Sequence, residues 1–360
     1  MLELLNTKIF DNERNILNAD LFVNNLKHTF KAFKFNTKIT YEVYRNITIY
    51  HITWNDDKSY EDMLELKKEI ALALGVTTNE FEIEKEKENE VKIKVQNMKK
   101  STLSLKELLE ESKDKDNNNI PLGLSEEDKV IYFNIEKDKN LLVTGVTGIG
   151  KTNLFNNIIL NILMNKDKTK IIILDSQSIN YNAYDKLCEV VNNEQEIINK
   201  IKEIRHIFEE KVKNNDQSRI ILFIDEIYEI IKNDISVKDD INYLLEVGAT
   251  MNIHIIMSTD SVLDEDINYL FDKDDISKLS FYLTTRREYN KFLDNYIDES
   301  LGRDGIYVST NSTLTRISLP LIEDDEITRV VDREGGTGTR KWYVLCREIY
   351  IFWLLGKRSR

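Results

Sequence analysis

One uninterrupted segment of this chain has the residue types and spacing needed to bind phosphate: Gly145, Val146, Thr147, Gly148, Ile149, Gly150, Lys151 and Thr152. The order G-x-x-x-x-G-K-T is that of a P-loop, whose backbone N–H groups point inward at the phosphates. The lysine of such a loop reaches the β- and γ-phosphates, and the hydroxyl after it binds Mg²⁺. The segment predicts a nucleoside triphosphate site with Lys151 as its catalytic cation and Thr152 as a metal ligand.

A P-loop must follow a strand and open a helix, and the flanking sequence predicts both elements. The apolar run 141–144 indicates the strand. Apolar residues at helical spacing follow the loop: Leu154, Ile158, Ile159, Ile162 and Leu163. The N-terminus of this helix would add positive potential at the phosphates.

A second apolar segment, 219–224, ends in the adjacent carboxylates Asp225 and Glu226. Asp225 is predicted to bind Mg²⁺ through water, and Glu226 to polarise the water that attacks the γ-phosphate. An adjacent acidic pair favours a hydrolysing ATPase over a kinase or a GTPase switch. Since the chain also lacks an Asn-Lys-x-Asp guanine motif, ATP is the predicted nucleotide.

Other polar residues could complete the site. Thr259 and Asp260 end the next apolar strand, where a γ-phosphate sensor commonly lies, although a simple strand-end cap is the other interpretation. Arg286 and Arg287 could supply an arginine finger to a neighbouring subunit, or form a solvated surface pair. His254, inside an apolar strand, is interpreted as a packed core histidine.

The composition predicts a soluble globular protein with room for two domains. Of the 360 residues, 41% are hydrophobic and 31% are charged, and no apolar run approaches the ~18–20 residues that span a bilayer. Two cysteines, Cys188 and Cys346, and the absence of a signal-peptide pattern predict a cytoplasmic location. The net charge of −13 argues against a general nucleic-acid binder but permits a narrow basic surface on an acidic body.

Periodicity and composition divide the chain into segments. Residues 1–40 predict an N-terminal helical arm with one apolar face, and residues 41–111 predict a small α+β domain that contains the hairpin 81–95. Residues 112–119 are polar and predict a linker, whereas 333–360 form a tail of unknown role. The arm's predicted apolar face consists of Leu21, Phe22, Leu26 and Phe30.

Between residues 120 and 332, strands alternate with helices, which predicts an α/β domain with a parallel sheet covered on both faces. The predicted sheet strands are Leu141–Thr144, Ile171–Leu174, Ile220–Ile224, Ile253–Ser258 and Ser280–Leu283.

Segments outside the P-loop match, in order, those of a known family: 70–75, 91–97, 101–110, 120–123, 130–135, 140–145, 252–254 and 301–308. With these segments the chain resembles the motor of the FtsK/SpoIIIE family of DNA translocases over roughly residues 40–332. The resemblance implies a RecA-like P-loop ATPase domain over 120–332, preceded by the small α+β domain.

The resemblance also implies a homo-oligomer, a hexameric ring around double-stranded DNA, with ATP sites between subunits and ATP-driven translocation. Only the channel loops of a ring need to be basic, which reconciles DNA binding with an acidic exterior. We expect neither a membrane anchor nor a winged-helix domain in the chain. We also expect that the chain does not insert directly into a membrane. We therefore expect a role in plasmid or conjugative-element transfer or in DNA segregation. A separate membrane or recombination protein is a possible partner in that role.

The chain departs from the family pattern at several positions. Thr259-Asp260-Ser261-Val262 stands where relatives carry Thr-Gln-Arg-Pro, and Ala249 and Asn290 stand where they carry arginine. The segment 211–218 is shorter than in many relatives. These departures favour an alternative function, an ATP-binding assembly or adaptor protein of a DNA-transfer or partition apparatus with weak or no translocation.

Overall fold

The computed structural model describes residues 2–6, 13–97, 101–112, 116–165, 168–177, 180–271, 273, 276–294, 304–310 and 314–336. These residues form two compact units. The smaller unit contains described residues of 8–102 and 124–129, and the larger unit contains those of 1–7, 103–123 and 130–360. No helix among the described residues is both long and apolar enough to cross a membrane.

The smaller unit contains an antiparallel sheet with the strand order β1-β2-β4-β3. Its strands are β1 (Thr37–Val43), β2 (Ile47–Trp54), β3 (Phe81–Lys87) and β4 (Glu90–Gln96). In β4, the alternate residues Val91, Ile93 and Val95 are buried, because the two-residue period of a strand turns them all to one face. The predicted hairpin is confirmed, since β3 and β4 pair antiparallel.

The helices of the smaller unit are α1 (Glu13–Ala32), α2 (Tyr60–Glu65) and α3 (Lys67–Leu74). Leu26 and Phe30 of α1 are fully buried in the same core as the sheet, as their spacing predicts. Leu21, in contrast, is 55% exposed, so its predicted place on the buried face is wrong. The predicted boundary at residue 40 falls inside this unit, because α1 packs on the sheet and on α3.

The larger unit is built on a ten-stranded sheet of order β6-β5-β14-β13-β12-β7-β11-β10-β8-β9. Its strands are β5 (Asn119–Ser125), β6 (Val130–Asn134), β7 (Asn140–Thr144), β8 (Lys170–Asp175), β9 (Glu189–Val191), β10 (Ile220–Asp225), β11 (Ile253–Thr259), β12 (Ile276–Ser280), β13 (Gly305–Val308) and β14 (Leu314–Ser318). From β12 to β9 every neighbouring pair is parallel. The carboxyl ends of β7, β11 and β10 therefore meet at one edge of the sheet.

Both faces of this sheet are covered by hydrophobic clusters. The helices of this unit are α4 (Leu105–Glu111), α5 (Lys151–Met164), α6 (Glu194–Asn214), α7 (Ile227–Asn233), α8 (Val237–Val247), α9 (Arg286–Leu293) and α10 (Asp324–Gly336). Leu222 and Ile224 of β10 belong to the cluster that contains residues of α6, α7, α8 and α9. Ile221 and Phe223 belong to the cluster that contains residues of α5 and α10. The predicted α/β class is confirmed.

The predicted strands of the larger sheet are found within one residue at each end, except for the last. The prediction of a strand at 280–283 is wrong: β12 ends at Ser280, and 281–283 belong to the connection before α9. Phe281 and Leu283 look strand-like because both are buried. Strand β5 begins at Asn119, the last residue of the predicted linker. The predicted tail extends from within α10 to residues outside the described ones.

Candidate nucleotide-binding site

The loop between β7 and α5 has an unusual backbone that only glycine adopts easily. Gly145, Gly148 and Gly150 have φ angles of +154°, +78° and +134°. A Cβ atom at Gly145 would also lie 2.6 Å from Cβ of Phe281, so the loop packs directly on the connection after β12. Thr147 and Gly148, at the tip of the loop, are exposed. The loop is therefore held at its base and accessible at its tip.

Helix α5 begins at Lys151, directly after the loop. Its N-cap residue is Gly150, which supplies no capping side chain, and its first turn contains no acidic residue. The N–H groups of a first helical turn have no partner within the helix and carry a partial positive charge. An uncapped start of this kind is suited to an anion such as phosphate.

The predicted catalytic residues Lys151 and Glu226 are in direct contact. Nζ of Lys151 lies 3.0 Å from Oε1 of Glu226 and donates a hydrogen bond to the Gly145 carbonyl at 2.7 Å. Both side chains are almost fully buried, at 6% and 7% exposure. Burial raises the pKa of Glu226, and the charge of Lys151 opposes that rise. The P-loop cation is thus paired with the carboxylate predicted to act on the attacking water.

Glu226 reaches this position through a left-handed backbone conformation. Its φ of 55° and ψ of 64° end β10 and turn the chain into α7. A non-glycine residue in this region stores strain, and such residues cluster at functional sites.

Asp225 is held by two hydroxyl groups. It accepts a hydrogen bond at Oδ1 from Ser258 Oγ, at 2.6 Å, and at Oδ2 from Tyr181 Oη, at 3.2 Å. Burial raises the pKa of Asp225, and both hydroxyls oppose the rise by stabilising the carboxylate. Ser258 Oγ also accepts a hydrogen bond from the backbone N–H of Glu226 at 2.9 Å, so one hydroxyl of β11 holds both the Asp225 carboxylate and the backbone of Glu226.

The predicted sensor residues meet the P-loop in different ways. Because β11 pairs with β7, Thr259 lies opposite Thr144, which donates its hydroxyl proton to the Thr259 carbonyl at 2.9 Å. Asp260 is exposed and contacts two parts of the site. Its N–H donates to Glu226 Oε2 at 3.0 Å, and its carboxylate accepts from the Thr147 hydroxyl at 3.1 Å. Asp260 therefore connects the tip of the P-loop to Glu226.

Arg286 and Arg287 open α9 and are exposed. A reciprocal capping box between Thr285 and Glu288 fixes the start of this helix. The connection before α9 contacts the P-loop, since the N–H of Val146 donates to the Tyr282 carbonyl at 3.2 Å. The two arginines therefore lie at the start of α9, directly after the connection that contacts the P-loop. Their role as an arginine finger stays a prediction.

His254 is buried in β11, in keeping with its interpretation as a core residue. Its Nδ1 lies 2.9 Å from the Lys139 carbonyl. Burial lowers the pKa of His254 to about 4, so the imidazole is neutral at physiological pH.

Three residues of the site are not predicted from the sequence: Ser258, Tyr181 and Phe281. Ser258 has a weak signal, because it is a polar residue that directly follows the apolar run 255–257 of a buried strand. Phe281 lies in the predicted strand 280–283, whereas in the structure it packs against Gly145 at the base of the P-loop. Tyr181 has no local signal, since its contact with Asp225 joins residues that are far apart in the sequence.

The model of the FtsK/SpoIIIE family matches residues 104–296, which is more than half of the chain and includes the P-loop, Asp225, Glu226 and Asp260. The chain belongs to the FtsK/SpoIIIE family, and the predicted resemblance is confirmed. It carries the P-loop ATPase motor domain of that family.

Relatives named DNA translocase FtsK match most of this chain. The protein from Bacillus cereus is 24% identical over 362 residues, covering 88% of this chain and 45% of the relative. The protein from Streptococcus pyogenes serotype M3 is 25% identical over 362 residues, covering 89% and 45%. The chain therefore spans less than half the length of these relatives.

Solved structures share the fold. The monomer of the pCW3 conjugation coupling protein TcpA with ATPγS has a TM-score of 0.59 and 13% identity, covering 87% of this chain and 99% of that one. The cytoplasmic domain of the Thermomonospora curvata type VII secretion ATPase EccC has a TM-score of 0.55 and 14% identity, covering 67% and 35%. These likenesses agree with the predicted P-loop ATPase fold.

Proposed function

We propose that this chain hydrolyses ATP to move double-stranded DNA, as an FtsK/SpoIIIE-type motor acting in plasmid or conjugative-element transfer or in segregation. The observation that carries the proposal is the 3.0 Å contact between Lys151 and Glu226 at the base of an accessible P-loop. In this contact, Lys151, the cation suited to the γ-phosphate, lies next to Glu226, the carboxylate suited to the attacking water. Membership of the family supports DNA as the substrate that is moved.

The proposed catalysis follows from this contact. A γ-phosphate bound in the loop competes with Glu226 for the Lys151 ammonium group. Glu226, once released, retains the N–H of Asp260 and can accept a proton from water. Since phosphoryl transfer depends mainly on positioning and charge stabilisation, these few groups are sufficient.

The oxygen donors beside the P-loop fit Mg²⁺. Among the described residues, no group of three or more His, Cys, Asp or Glu could hold a metal by itself. Mg²⁺ at nucleotide sites is bound by one or two protein oxygens together with substrate phosphates and water. Thr152 and Asp225 would hold the ion, which would neutralise charge on the β- and γ-phosphates when bound.

We further propose a hexameric ring in which Arg286 or Arg287 reaches the ATP site of the neighbouring subunit. Arg286→Ala is expected to lower the hydrolysis rate by up to ~10³-fold, the effect of losing an arginine finger, while ATP affinity is unchanged. Turnover and equilibrium ATP binding measure the two effects separately. Lys291→Ala, which removes a cation from the same helix, serves as the control. Equal losses of rate and affinity would show that Arg286 does not act across a subunit boundary.

Asp260 favours a second candidate function, the ATP-binding adaptor with weak or no translocation. Its carboxylate, bound to Thr147, places negative charge beside the loop that is suited to phosphate. Repulsion between this charge and a nucleotide would slow turnover.

The rate of ATP hydrolysis with and without linear duplex DNA distinguishes the two functions. The motor requires strong stimulation by duplex, and the stimulation must disappear in Glu226→Gln. Electron microscopy with duplex and a non-hydrolysable ATP analogue should then show rings threaded by DNA. Intact ATP binding with slow hydrolysis that duplex leaves unchanged would favour the adaptor.

A further inference from the structure

Ser258 is a fully buried serine that contacts both acidic residues of the site. It lies near the end of β11, which pairs with β10 on one side and with β7 on the other. Its Oγ donates a hydrogen bond to Asp225 Oδ1 at 2.6 Å and accepts one from the backbone N–H of Glu226 at 2.9 Å. A serine hydroxyl has one proton to donate and lone pairs that accept, so both bonds can form at the same time.

The backbone of Glu226 depends on this contact. Its left-handed φ of 55° is costly for a residue other than glycine, and such conformations persist only where the surrounding structure holds them. The N–H of Glu226 is buried, and Ser258 Oγ is the acceptor that it meets there. A buried N–H that loses its acceptor is destabilised, so removal of the hydroxyl would favour a different backbone conformation at Glu226.

The end of β11 holds Glu226 at two points. Ser258 binds its backbone N–H, and the N–H of Asp260 donates to its carboxylate at Oε2, at 3.0 Å. The strand itself is fixed between these two residues, because the Thr144 hydroxyl donates to the Thr259 carbonyl at 2.9 Å. One contact thus sets where the Glu226 backbone lies, and the other sets the direction of its side chain.

Asp225 has further partners that do not depend on Ser258. Its carbonyl accepts a hydrogen bond from Ser176 Oγ at 3.1 Å, and its Oδ2 accepts one from Tyr181 Oη at 3.2 Å. Both bonds can remain when the Ser258 hydroxyl is removed. The main consequence of that removal is therefore expected at Glu226.

We propose that Ser258 is a positioning residue for ATP hydrolysis, and that its hydroxyl holds the Glu226 backbone so that the carboxylate faces the attacking water. The inference rests on the proposed function, in which Glu226 acts on that water. Ser258 acts only through Glu226 in this role. Its loss should therefore slow the chemical step and leave the binding of ATP unchanged.

Ser258→Ala tests the proposal, because it removes the hydroxyl and little else. We expect the rate of single-turnover ATP hydrolysis to fall by about 10- to 100-fold, the range typical of losing a partner that orients a residue of a site. Equilibrium binding of a non-hydrolysable ATP analogue should equal that of the wild type. Ser258→Cys keeps a weaker hydrogen-bonding group at the same place, so its rate should lie between those of Ser258→Ala and the wild type.

The double variant Ser258→Ala/Glu226→Gln shows whether Ser258 acts through Glu226. If it does, the double variant should hydrolyse ATP at the rate of Glu226→Gln alone, because the residue that Ser258 positions has already lost its function. A serine with an independent role would instead lower the rate of Glu226→Gln by the same factor as it lowers that of the wild type.

Ser277→Ala is the matched control. Ser277 is also a fully buried serine of the same sheet, in β12, and its hydroxyl donates to a carboxylate, Asp138 Oδ1, at 3.0 Å. This contact involves neither Asp225 nor Glu226. The control should keep the wild-type rate of hydrolysis, and thermal unfolding of both alanine variants measures any loss of stability that they share.

Other results would contradict the proposal. A wild-type rate in Ser258→Ala, or in Ser258→Cys if the alanine variant does not fold, would show that the hydroxyl does not position Glu226. Multiplying losses in the double variant, or equal losses of rate and affinity in Ser258→Ala, would assign Ser258 a purely structural role. If Glu226→Gln itself hydrolyses ATP at the wild-type rate, the proposed function of Glu226 fails, and the role of Ser258 fails with it.

Discussion

Replacement of Lys151 by alanine is expected to weaken ATP binding by about 100-fold, as the loss of a charge-assisted contact of about 3 kcal/mol implies. Lys151 is the buried cation at the base of the P-loop, and its partners are Glu226 and the Gly145 carbonyl. A γ-phosphate would take the place of Glu226. Equilibrium binding of a fluorescent ATP analogue measures the effect directly.

The same substitution has a pH-dependent effect on stability. Burial raises the pKa of Glu226, and removal of Lys151 raises it further. A carboxyl group whose folded-state pKa lies above its unfolded value binds more protons in the folded protein between those two values, so the free energy of unfolding increases as the pH falls through the folded-state pKa toward the unfolded one. Lys151→Ala should therefore lose more thermal stability, relative to the wild type, at alkaline than at mildly acidic pH.

The double variant Lys151→Ala/Glu226→Gln separates lost binding from lost stability. It removes both charges of the buried pair, so it leaves no unpaired carboxylate in the core. We expect it to unfold at a temperature nearer to that of the wild type and still to bind ATP weakly. Wild-type affinity in either variant would contradict the placement of the phosphates at Lys151.

The parts of the structure that could be predicted from sequence depend on local patterns. Strands β7, β8, β10 and β11 follow from short apolar runs, and the P-loop follows from glycine spacing. The position of Asp225 and Glu226 beside that loop follows because parallel strands end at one edge. Each of these features is encoded within a few residues, or by a rule of topology.

The remaining contacts of the site depend on tertiary packing. Tyr181 contacts Asp225, and Asp260 contacts Thr147. Both contacts depend on the order of strands in the sheet, in which β8, β10, β11 and β7 are successive neighbours. Similarly, the exposure of Leu21 reflects which side of α1 faces the sheet, and helical spacing alone fixed that face only approximately.

The contact between Lys151 and Glu226 also predicts how the site would respond to nucleotide. Two charges removed from water are stabilised only while both partners are present. By the proposed mechanism, a phosphate that binds Lys151 would displace Glu226, which would keep its hydrogen bond from the N–H of Asp260. Nucleotide binding would therefore free the carboxylate that hydrolysis needs, which couples occupancy of the site to its activation.

Glu226→Gln is accordingly expected to lower the rate of ATP hydrolysis by about 10²- to 10⁴-fold, the usual contribution of a general base. ATP affinity should be retained or increased, because a neutral amide of the same shape holds Lys151 less strongly than a carboxylate does. Single-turnover hydrolysis measures the first effect, and equilibrium binding of ATP measures the second.

Glu229→Gln is the matched control for this variant. Glu229 is exposed on α7, close in sequence to Glu226, and its charge partner is Lys232 rather than Lys151. The control should hydrolyse ATP at the wild-type rate, with the same stimulation by duplex DNA. Hydrolysis that survives in Glu226→Gln would require another base, and ATP affinity that falls together with the rate would mean that Glu226 acts in binding rather than in the chemical step.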